Sequence, residues 1–274
     1  MVYKTINAKT TTGTIVKPAE LIDVVELTPL KLIDRRIFNL LLASAWDEIS
    51  EDKEHAIKKA DLLVNTKATE RLDASIGRLM GSRVRINVQR DGQDHVVSVP
   101  FLEHVSEPVR KDGYVYYKFP AKLREIVQDS TVFARLQKSV MFQLSSKYAL
   151  CCYELIQKRG NLDYQWSETF SLDQLRNLLG VEKGKLKTYK NFKARALLPA
   201  VQEVDFLSDY HVSFCATDRK HKKGNTIVAV TLSWHMKSLP ELKEVFKEMR
   251  ISKSGRKARM TRKVEVIVDY KPSR

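Results

Sequence analysis

The sequence predicts an α+β protein made of two tandem winged helix-turn-helix domains. Each half of the chain contains amphipathic segments with helical spacing, followed by two alternating strands joined by a turn. Three helices followed by a two-stranded hairpin is the order of elements in a winged helix. The halves share this order but no recognisable sequence identity. A chain of 274 residues can bury two separate cores, which agrees with two domains.

In the first half, Pro29 suits the first turn of a helix whose apolar residues recur at helical spacing as far as Trp46. Gly81 suits the end of a later helix. Alternating apolar residues on both sides of Asp91-Gly92 predict a hairpin. The predicted elements are, in order, helices at 30–46, 56–65 and 69–80, a hairpin at 83–101, a strand at 114–119 and a helix at 121–127.

The second half begins with an amphipathic helix predicted at 145–158. Ser171 is a suitable N-cap for the next helix, and Gly180 suits its end. A basic helix at 187–204 and a hairpin at 211–234 complete the pattern. We therefore expect a first winged-helix domain at 1–140, a second at 141–240, and a basic tail at 241–274 that contains a further strand at 264–270.

The positive charge of the chain lies mainly in its second half. The formal net charge is +15 at pH 7, of which residues 1–140 carry +3 and residues 141–274 carry +12. Such asymmetry favours binding of a polyanion by the second half. A solvated basic surface would have the same composition, so the argument depends on where the cations lie.

The basic helix at 187–204 predicts a surface that contacts bases in the major groove of DNA. At about 100° per residue, Tyr189, Phe192 and Ala196 fall on one face, which we expect to be buried. The opposite face offers lysine for guanine or phosphate, asparagine for adenine, and alanine for close approach. The predicted DNA-contacting residues of this helix are Lys187, Lys190, Asn191, Lys193, Ala194 and Arg195.

Pro199 lies inside this helix, where proline disfavours regular helical geometry. On a straight helix, Leu198 and Val201 would continue the cationic face and place apolar groups against DNA. We therefore expect a kink at Pro199 that returns the following apolar residues to the core, namely Ala200, Val201, Val204 and Phe206. The alternative is two ordinary helices that meet at a proline, with lysines that are merely solvated.

Two further basic surfaces are predicted beside the hairpins. The hairpin loop at 218–225 concentrates cations against a single acid, which is typical of a wing that grips phosphate, although a solubilising loop would look similar. Its predicted DNA contacts are Arg219, Lys220, Lys222 and Lys223. The third helix and first hairpin strand of the first half form a weaker counterpart, for which a solvated helix with salt bridges is an equal alternative. Its predicted contacts are Arg71, Ser75, Arg78, Arg83 and Arg85.

The sequence lacks the motifs of the relevant enzymes. Its six histidines include no His-x-His pair, which a metal-dependent nuclease with a tyrosine nucleophile would need. No Gly-x-x-x-x-Gly-Lys-Ser/Thr loop is present, which argues against an ATPase. We therefore expect a DNA-binding protein that is not an enzyme and needs no cofactor.

The three cysteines have no metal-ligand spacing, so no metal site is expected. Cys152 should lie in the core and Cys151 should be its more exposed neighbour on the same helix. An odd number of cysteines and the lack of a secretory signal favour a reduced, cytoplasmic protein. No apolar run is long enough to cross a bilayer, so no membrane partner is expected.

Three segments of the second half carry a recognisable set of motifs. The residues that form them are Ser146, Tyr148, Ala149, Tyr153, Glu154, Leu155, Leu172, Leu175, Leu179, Gly180, Tyr189, Lys190, Phe192, Lys193, Leu198, Pro199, Ala200 and Glu203. With these motifs, residues 145–234 resemble the replication initiator (Rep) proteins of iteron-containing bacterial plasmids. Residues 28–140 resemble that family in architecture only. Cys151 departs from the pattern, because the family usually has arginine there.

The resemblance implies tandem winged helices that bind direct repeats, called iterons, at a plasmid origin as monomers. It implies recruitment of host replication-initiation and helicase-loading factors. It also implies a homodimer in equilibrium with the monomer, which binds an inverted repeat over its own promoter and represses it. The first domain would supply the dimer interface, and the second the stronger contact with double-stranded DNA. The nearest alternative is a transcriptional repressor with tandem winged helices and no role in replication.

Overall fold

A computed structural model of the chain describes residues 13–63, 69–90, 92–106, 112–160, 162, 165–221 and 224–250. The elements of the first half are β1 (Thr14–Pro18), β2 (Val25–Glu26), α1 (Leu32–Ser44), β3 (His55–Lys58), α2 (Lys59–Leu62), α3 (Thr69–Gly81), β4 (Arg83–Arg90), β5 (Gln93–Pro100), β6 (His104–Ser106), β7 (Tyr114–Lys118), α4 (Ala121–Asp129), β8 (Phe133–Gln137) and α5 (Lys138–Gln143). Those of the second half are α6 (Lys147–Gly160), β9 (Ser167–Ser171), α7 (Leu172–Leu178), α8 (Tyr189–Phe192), α9 (Leu198–Leu207), β10 (Tyr210–His221), β11 (Gly224–Met236) and α10 (Leu239–Met249). A π-helical segment, Lys193–Leu197, joins α8 to α9.

Both halves contain the order helix, strand, helix, helix, strand, strand. The first half has it as α1, β3, α2, α3, β4 and β5, and the second as α6, β9, α7, the run from α8 to α9, β10 and β11. The described sheets are antiparallel and have the strand orders β1-β8, β2-β4-β5, β3-β7-β6 and β10-β11-β9. This order confirms the predicted α+β class and the helix-and-hairpin unit in each half.

Most elements predicted in the first half are present, and the helix predicted at 56–65 is partly wrong. His55 and Ile57 are buried, whereas Ala56 and Lys58 are exposed. A period of two residues is that of a strand, and β3 indeed pairs with β7. Helix α2 follows only at Lys59.

Strands β1 and β8 form a pairing that local sequence patterns do not predict. Their register runs from Thr14 opposite Gln137 to Pro18 opposite Phe133, so distant parts of the chain meet. Ile15 lies in this pair and is fully buried. Helix α5 follows β8 directly and spans the predicted domain boundary at residue 140.

A cluster of buried charges joins α6 to the first half of the chain. Glu154 on α6 lies 2.9 Å from Lys17 Nζ and 3.4 Å from Arg35 Nη1. Asn39 donates to Glu154 from 2.7 Å and accepts from Lys17 Nζ at 3.0 Å. Arg35 also pairs with Glu26 at 2.7 Å. All five side chains are buried, and these charged and polar groups pair with one another within the core, although Arg35 Nη2 lies close to Glu26 without forming a hydrogen bond.

The tail predicted from residue 241 begins with a helix, because α10 extends from Leu239 to Met249. Ser238 and Glu241 form a capping box at its start. Hydrogen bonds from Ser238 lower the pKa of Glu241 to about 2. The strand predicted at 264–270 lies outside the described residues. Among the helices that the structure describes, none has the length and apolar character needed to cross a membrane.

Candidate nucleic-acid interface

Helix α7 begins and ends as the sequence predicts. The side chain of Ser171 accepts a hydrogen bond from the amide of Gln174 and so caps the helix. At the other end, the amide of Val181 bonds to the carbonyl of Arg176, and the amide of Gly180 to that of Asn177. This pair of bonds is a Schellman motif, and Gly180 adopts its left-handed conformation with φ of 66°. The chain therefore turns sharply after α7.

The helical run from α8 to α9, here called the recognition helix, exposes all of its predicted DNA-contacting residues. Thr188 caps its first turn by accepting from the amide of Asn191 at 3.3 Å. Phe192 and Ala196 are fully buried and Tyr189 is partly buried, as predicted. The exposed residues are Lys187, Lys190, Asn191, Lys193, Ala194 and Arg195, of which Lys187 precedes the cap, so the predicted start of the helix at residue 187 is wrong. Within the described residues, none of these cations forms an ion pair with an acidic side chain.

The predicted kink at Pro199 is replaced by the π segment. Leu198 keeps helical dihedral angles, with φ of −61° and ψ of −49°, and its amide bonds to the carbonyl of Lys193, five residues earlier. Proline has no amide hydrogen and clashes with the carbonyl four residues earlier in a regular α-helix. The wider turn accommodates Pro199 without ending the helix.

The π segment also explains how the apolar residues after it become buried. An α-helix turns about 100° per residue and a π-helix roughly 80°, so five π-helical residues delay the following residues by about 100°. This delay moves Val201 away from the cationic face and toward the side of Phe192. Ala200, Val201 and Val204 are indeed buried, which confirms the predicted return to the core.

In the wing of the second half, strands β10 and β11 extend into the segment that was predicted as a loop at 218–225. Strands β10 and β11 pair from Tyr210 opposite Met236 to His221 opposite Gly224, with an irregular register after Thr217. The wing residues Arg219 and Lys220 belong to β10, but their side chains are not among those described. Lys222 and Lys223 lie outside the described residues.

The predicted DNA surface of the first half is partly wrong. Ser75 is fully buried and donates to Asp34, so it cannot contact DNA in this structure. Arg78 donates to both carboxylate oxygens of Asp34, at 2.8 and 2.7 Å, and is committed to that bidentate pair. Arg83 and Arg85 are exposed. The side chain of the remaining predicted residue, at position 71, is not among those described.

Asp34 accepts the hydrogen bonds of both Ser75 and Arg78. Burial opposes its ionisation, but hydrogen bonds from Arg78, Ser75 and the amide of Lys31 outweigh that effect and lower the pKa of Asp34. The contacts join α1 to α3. Arg78 therefore has a structural role in the first half.

Three residues near the recognition helix were missed from the sequence. Lys183 and Lys185 are exposed in the turn before it, and both lie beside Gly184, so the charge pattern could have indicated them. Arg176 on α7 lies against Phe192, with its guanidinium carbon 5.2 Å from the ring centre. Its role depends on a contact across the turn that no local pattern reveals.

Two of the three cysteines are buried in the core, and the third is an exposed thiol. Cys151 is buried like Cys152, so the prediction that it is the more exposed neighbour is wrong. Burial raises the pKa of both thiols to about 12. Cys215 is exposed. The described residues contain no group of three or more histidine, cysteine or acidic side chains arranged to hold a metal ion.

Comparison with known families agrees with this architecture. The family model described as initiator replication protein, WH1, matches residues 14–157, and the model described as initiator Rep protein, WH2, matches residues 171–234. A search of curated proteins gave no match to the chain. The two family matches together cover most of the chain; the first includes most of α6, and the second begins at the last residue of β9 and extends through most of β11. The chain therefore belongs to the initiator Rep proteins, the DNA-binding winged-helix proteins that initiate plasmid replication.

Proposed function

We propose that the chain initiates replication by binding direct repeats at a plasmid origin as a monomer, and that as a dimer it represses its own promoter. The observation that carries the proposal is the exposed cationic face of the recognition helix, whose lysines have no acidic partner among the described residues. A folded protein gains little from unpaired cations on one helix face, whereas a phosphate backbone attracts them strongly.

The two basic elements of the second half are assigned different tasks. Lys190 and Asn191 stand on the exposed face of the recognition helix, and we assign them to base edges together with Ala194. Lys187, Lys193 and Arg195 flank them and are assigned to phosphates. The wing residues Arg219, Lys220, Lys222 and Lys223 are assigned to the backbone beside the groove.

The two domains and the tail are likewise given separate roles. Residues 1–140 would supply the dimer interface and a secondary DNA contact through Arg83 and Arg85, with Arg71 as a further candidate. Residues 141–240 would supply the main DNA contact, and the basic tail at 241–274 would add positive charge. We also propose contacts with host replication-initiation and helicase-loading factors. The chain would act in the cytoplasm by binding and recruitment, without a catalytic step of its own.

Footprinting of the purified chain on the DNA that flanks its gene tests the replication role. We expect protection of evenly spaced direct repeats and a steep loss of affinity as salt rises, because several cations release counterions on binding. Protection of a single palindrome without direct repeats would contradict initiation and favour the simple repressor. A plasmid-maintenance assay with the gene and its flanking repeats separates the same two functions.

Three substitutions test the division between bases and phosphates. Lys190→Ala is expected to cost about 1–3 kcal/mol on the protected site and to relax discrimination at one base position. Lys222→Ala is expected to weaken binding to all sequences alike and to lower the salt slope by about one. Lys122→Ala, on α4 and outside every surface assigned to DNA, removes a lysine that pairs with Glu125; it is the charge-matched control and should change neither. Equal effects of Lys190→Ala on specific and random DNA would refute the assignment.

A further inference from the structure

Arg176 on α7 connects to the start of the recognition helix by two contacts. Its Nη2 donates to the carbonyl oxygen of Lys187 at 2.8 Å. Its guanidinium carbon lies 5.2 Å from the centre of the Phe192 ring, which is fully buried. The Arg176 side chain is itself only 15% exposed. The guanidinium therefore lies between the last residue before the helix cap and the first buried ring of the helix.

Arg176 also holds the other end of the same turn. Its carbonyl oxygen accepts the amide of Val181 at 2.9 Å, as part of the cap of α7. Arg176 thus contacts both ends of the segment from Val181 to Lys187: its backbone carbonyl binds Val181, and its side chain binds Lys187. Within it, Gly184 has φ of 83° and Leu186 has φ of 47°. A left-handed leucine is unfavourable, so the surrounding contacts must hold this turn in one conformation.

The remaining ion pair of Arg176 does not account for its position. Asp173 lies 3.1 Å from Nη1, but its side chain is 93% exposed, and exposed pairs of this kind contribute little. The hydrogen bond to the Lys187 carbonyl and the contact with Phe192 are in a mostly buried environment. A planar guanidinium can satisfy both at once, whereas a lysine ammonium cannot stack and donate in the same geometry.

We infer that Arg176 is a positioning residue for DNA recognition, which fixes Lys187 and the first turn of the recognition helix without contacting DNA. This inference rests on the proposed function of that helix. Lys187 is the first cation of the recognition surface, and Lys190 and Asn191 follow within one turn. A small shift of this start would misplace all three relative to base edges, while the charge of the surface would stay the same.

Arg176→Lys tests this role because it keeps the charge and removes the planar contacts. We expect it to reduce affinity for the duplex protected in the wild-type footprint by about tenfold. Affinity for a duplex of the same length and shuffled sequence should stay unchanged, as should the salt slope. Arg176→Gln should give the same loss of discrimination. The matched control is Lys185→Gln, which removes one exposed charge from the same turn and should weaken both duplexes alike.

Hydrogen exchange and thermal unfolding distinguish positioning from general destabilisation. Amides at 187–191 should exchange faster in Arg176→Lys, while those of α6 and the midpoint of thermal unfolding stay close to wild type. Unchanged discrimination by both Arg176 variants would overturn the inference, and so would equal losses on both duplexes with a lower salt slope, which indicates a direct phosphate contact. Wild-type protein that does not distinguish the two duplexes would instead contradict the proposed function, and the positioning role with it.

Discussion

Replacing Glu154 by glutamine tests the buried charge cluster that joins α6 to the first half. The substitution keeps the shape of the side chain and its hydrogen bond with Asn39 but removes the negative charge beside Lys17 and Arg35. Arg35 retains Glu26 at 2.7 Å. Lys17 is left with the amide oxygen of Asn39 at 3.0 Å and no acid at comparable distance among the described contacts.

The expected cost follows from the burial of Lys17. Its side chain is 3% exposed and that of Glu154 is 1% exposed, so the ion pair is shielded from water. Removing one partner of a buried pair leaves an uncompensated charge and typically costs about 3–5 kcal/mol. We expect Glu154→Gln to lower the free energy of unfolding by an amount in that range at neutral pH. Urea unfolding followed by circular dichroism measures it.

The pH dependence of this cost identifies Lys17 as its source. Burial lowers the pKa of Lys17, and attraction to Glu154 partly opposes that effect. Without the Glu154 charge, the pKa of folded Lys17 falls further below its value in the unfolded chain. Between those two values the unfolded state binds more protons, so the stability of the variant rises with pH. The difference from wild type should therefore shrink as pH rises from 7 toward 10.

A second substitution completes the test. Lys17→Met in the Glu154→Gln background removes the stranded cation and should recover most of the lost stability, which a double-mutant cycle measures as coupling between the two residues. A cost of Glu154→Gln below about 1 kcal/mol, equal at both ends of the pH range, would refute the assignment of a charged Lys17–Glu154 pair.

Two further predictions concern Asp34 and the π segment. Asp34→Asn should lower the free energy of unfolding by about 2–4 kcal/mol at neutral pH. Because the folded pKa of Asp34 is lowered, this difference should begin to shrink in urea titrations as pH falls below about 4 and be lost as pH falls through the lower folded pKa. Deleting Ala194 in a Pro199→Ala background should leave the midpoint of thermal unfolding near wild type, because a regular α-helix with one residue fewer presents the residues after it at the same rotation as the π segment does. Inserting an alanine at the same position should lower that midpoint strongly, because it rotates those residues away from the core. Equal stability of both length variants would refute the rotation argument.

The exposed and buried faces of the recognition helix could be predicted from sequence because burial there follows local periodicity. Phe192 and Ala196 point inward, and Lys190 and Asn191 are exposed, as a helical wheel requires. Ser171 and Gly180 likewise mark the ends of α7 through side-chain and backbone chemistry that acts over a few residues. Such features need no knowledge of distant contacts.

The features that were missed depend on contacts between distant residues. Ser75 and Arg78 lie one turn apart on α3, and only the approach of Asp34 from α1 shows that they are structural. Strand β3 was predicted as helix because a four-residue alternation is too short to outweigh its helical surroundings. Pro199 indicated a departure from regular geometry, but the choice of a π segment over a kink depends on where the following apolar residues must pack.

The difference in net charge between the halves follows from how their cations are used. In the first half, Lys17, Arg35 and Arg78 each have an acidic partner within 3 Å, so positive charge there is largely balanced by the contacts that build the fold. Lys187, just before the recognition helix, and Lys190, on its first turn, have no such partner among the described residues, and their charge is left for an external anion. A count of charges per half does not distinguish cations that stabilise the fold from cations that are available to an external anion, whereas the presence or absence of an acidic partner does. The unpaired cations at the start of the recognition helix are therefore better explained by DNA binding than by a uniformly basic surface.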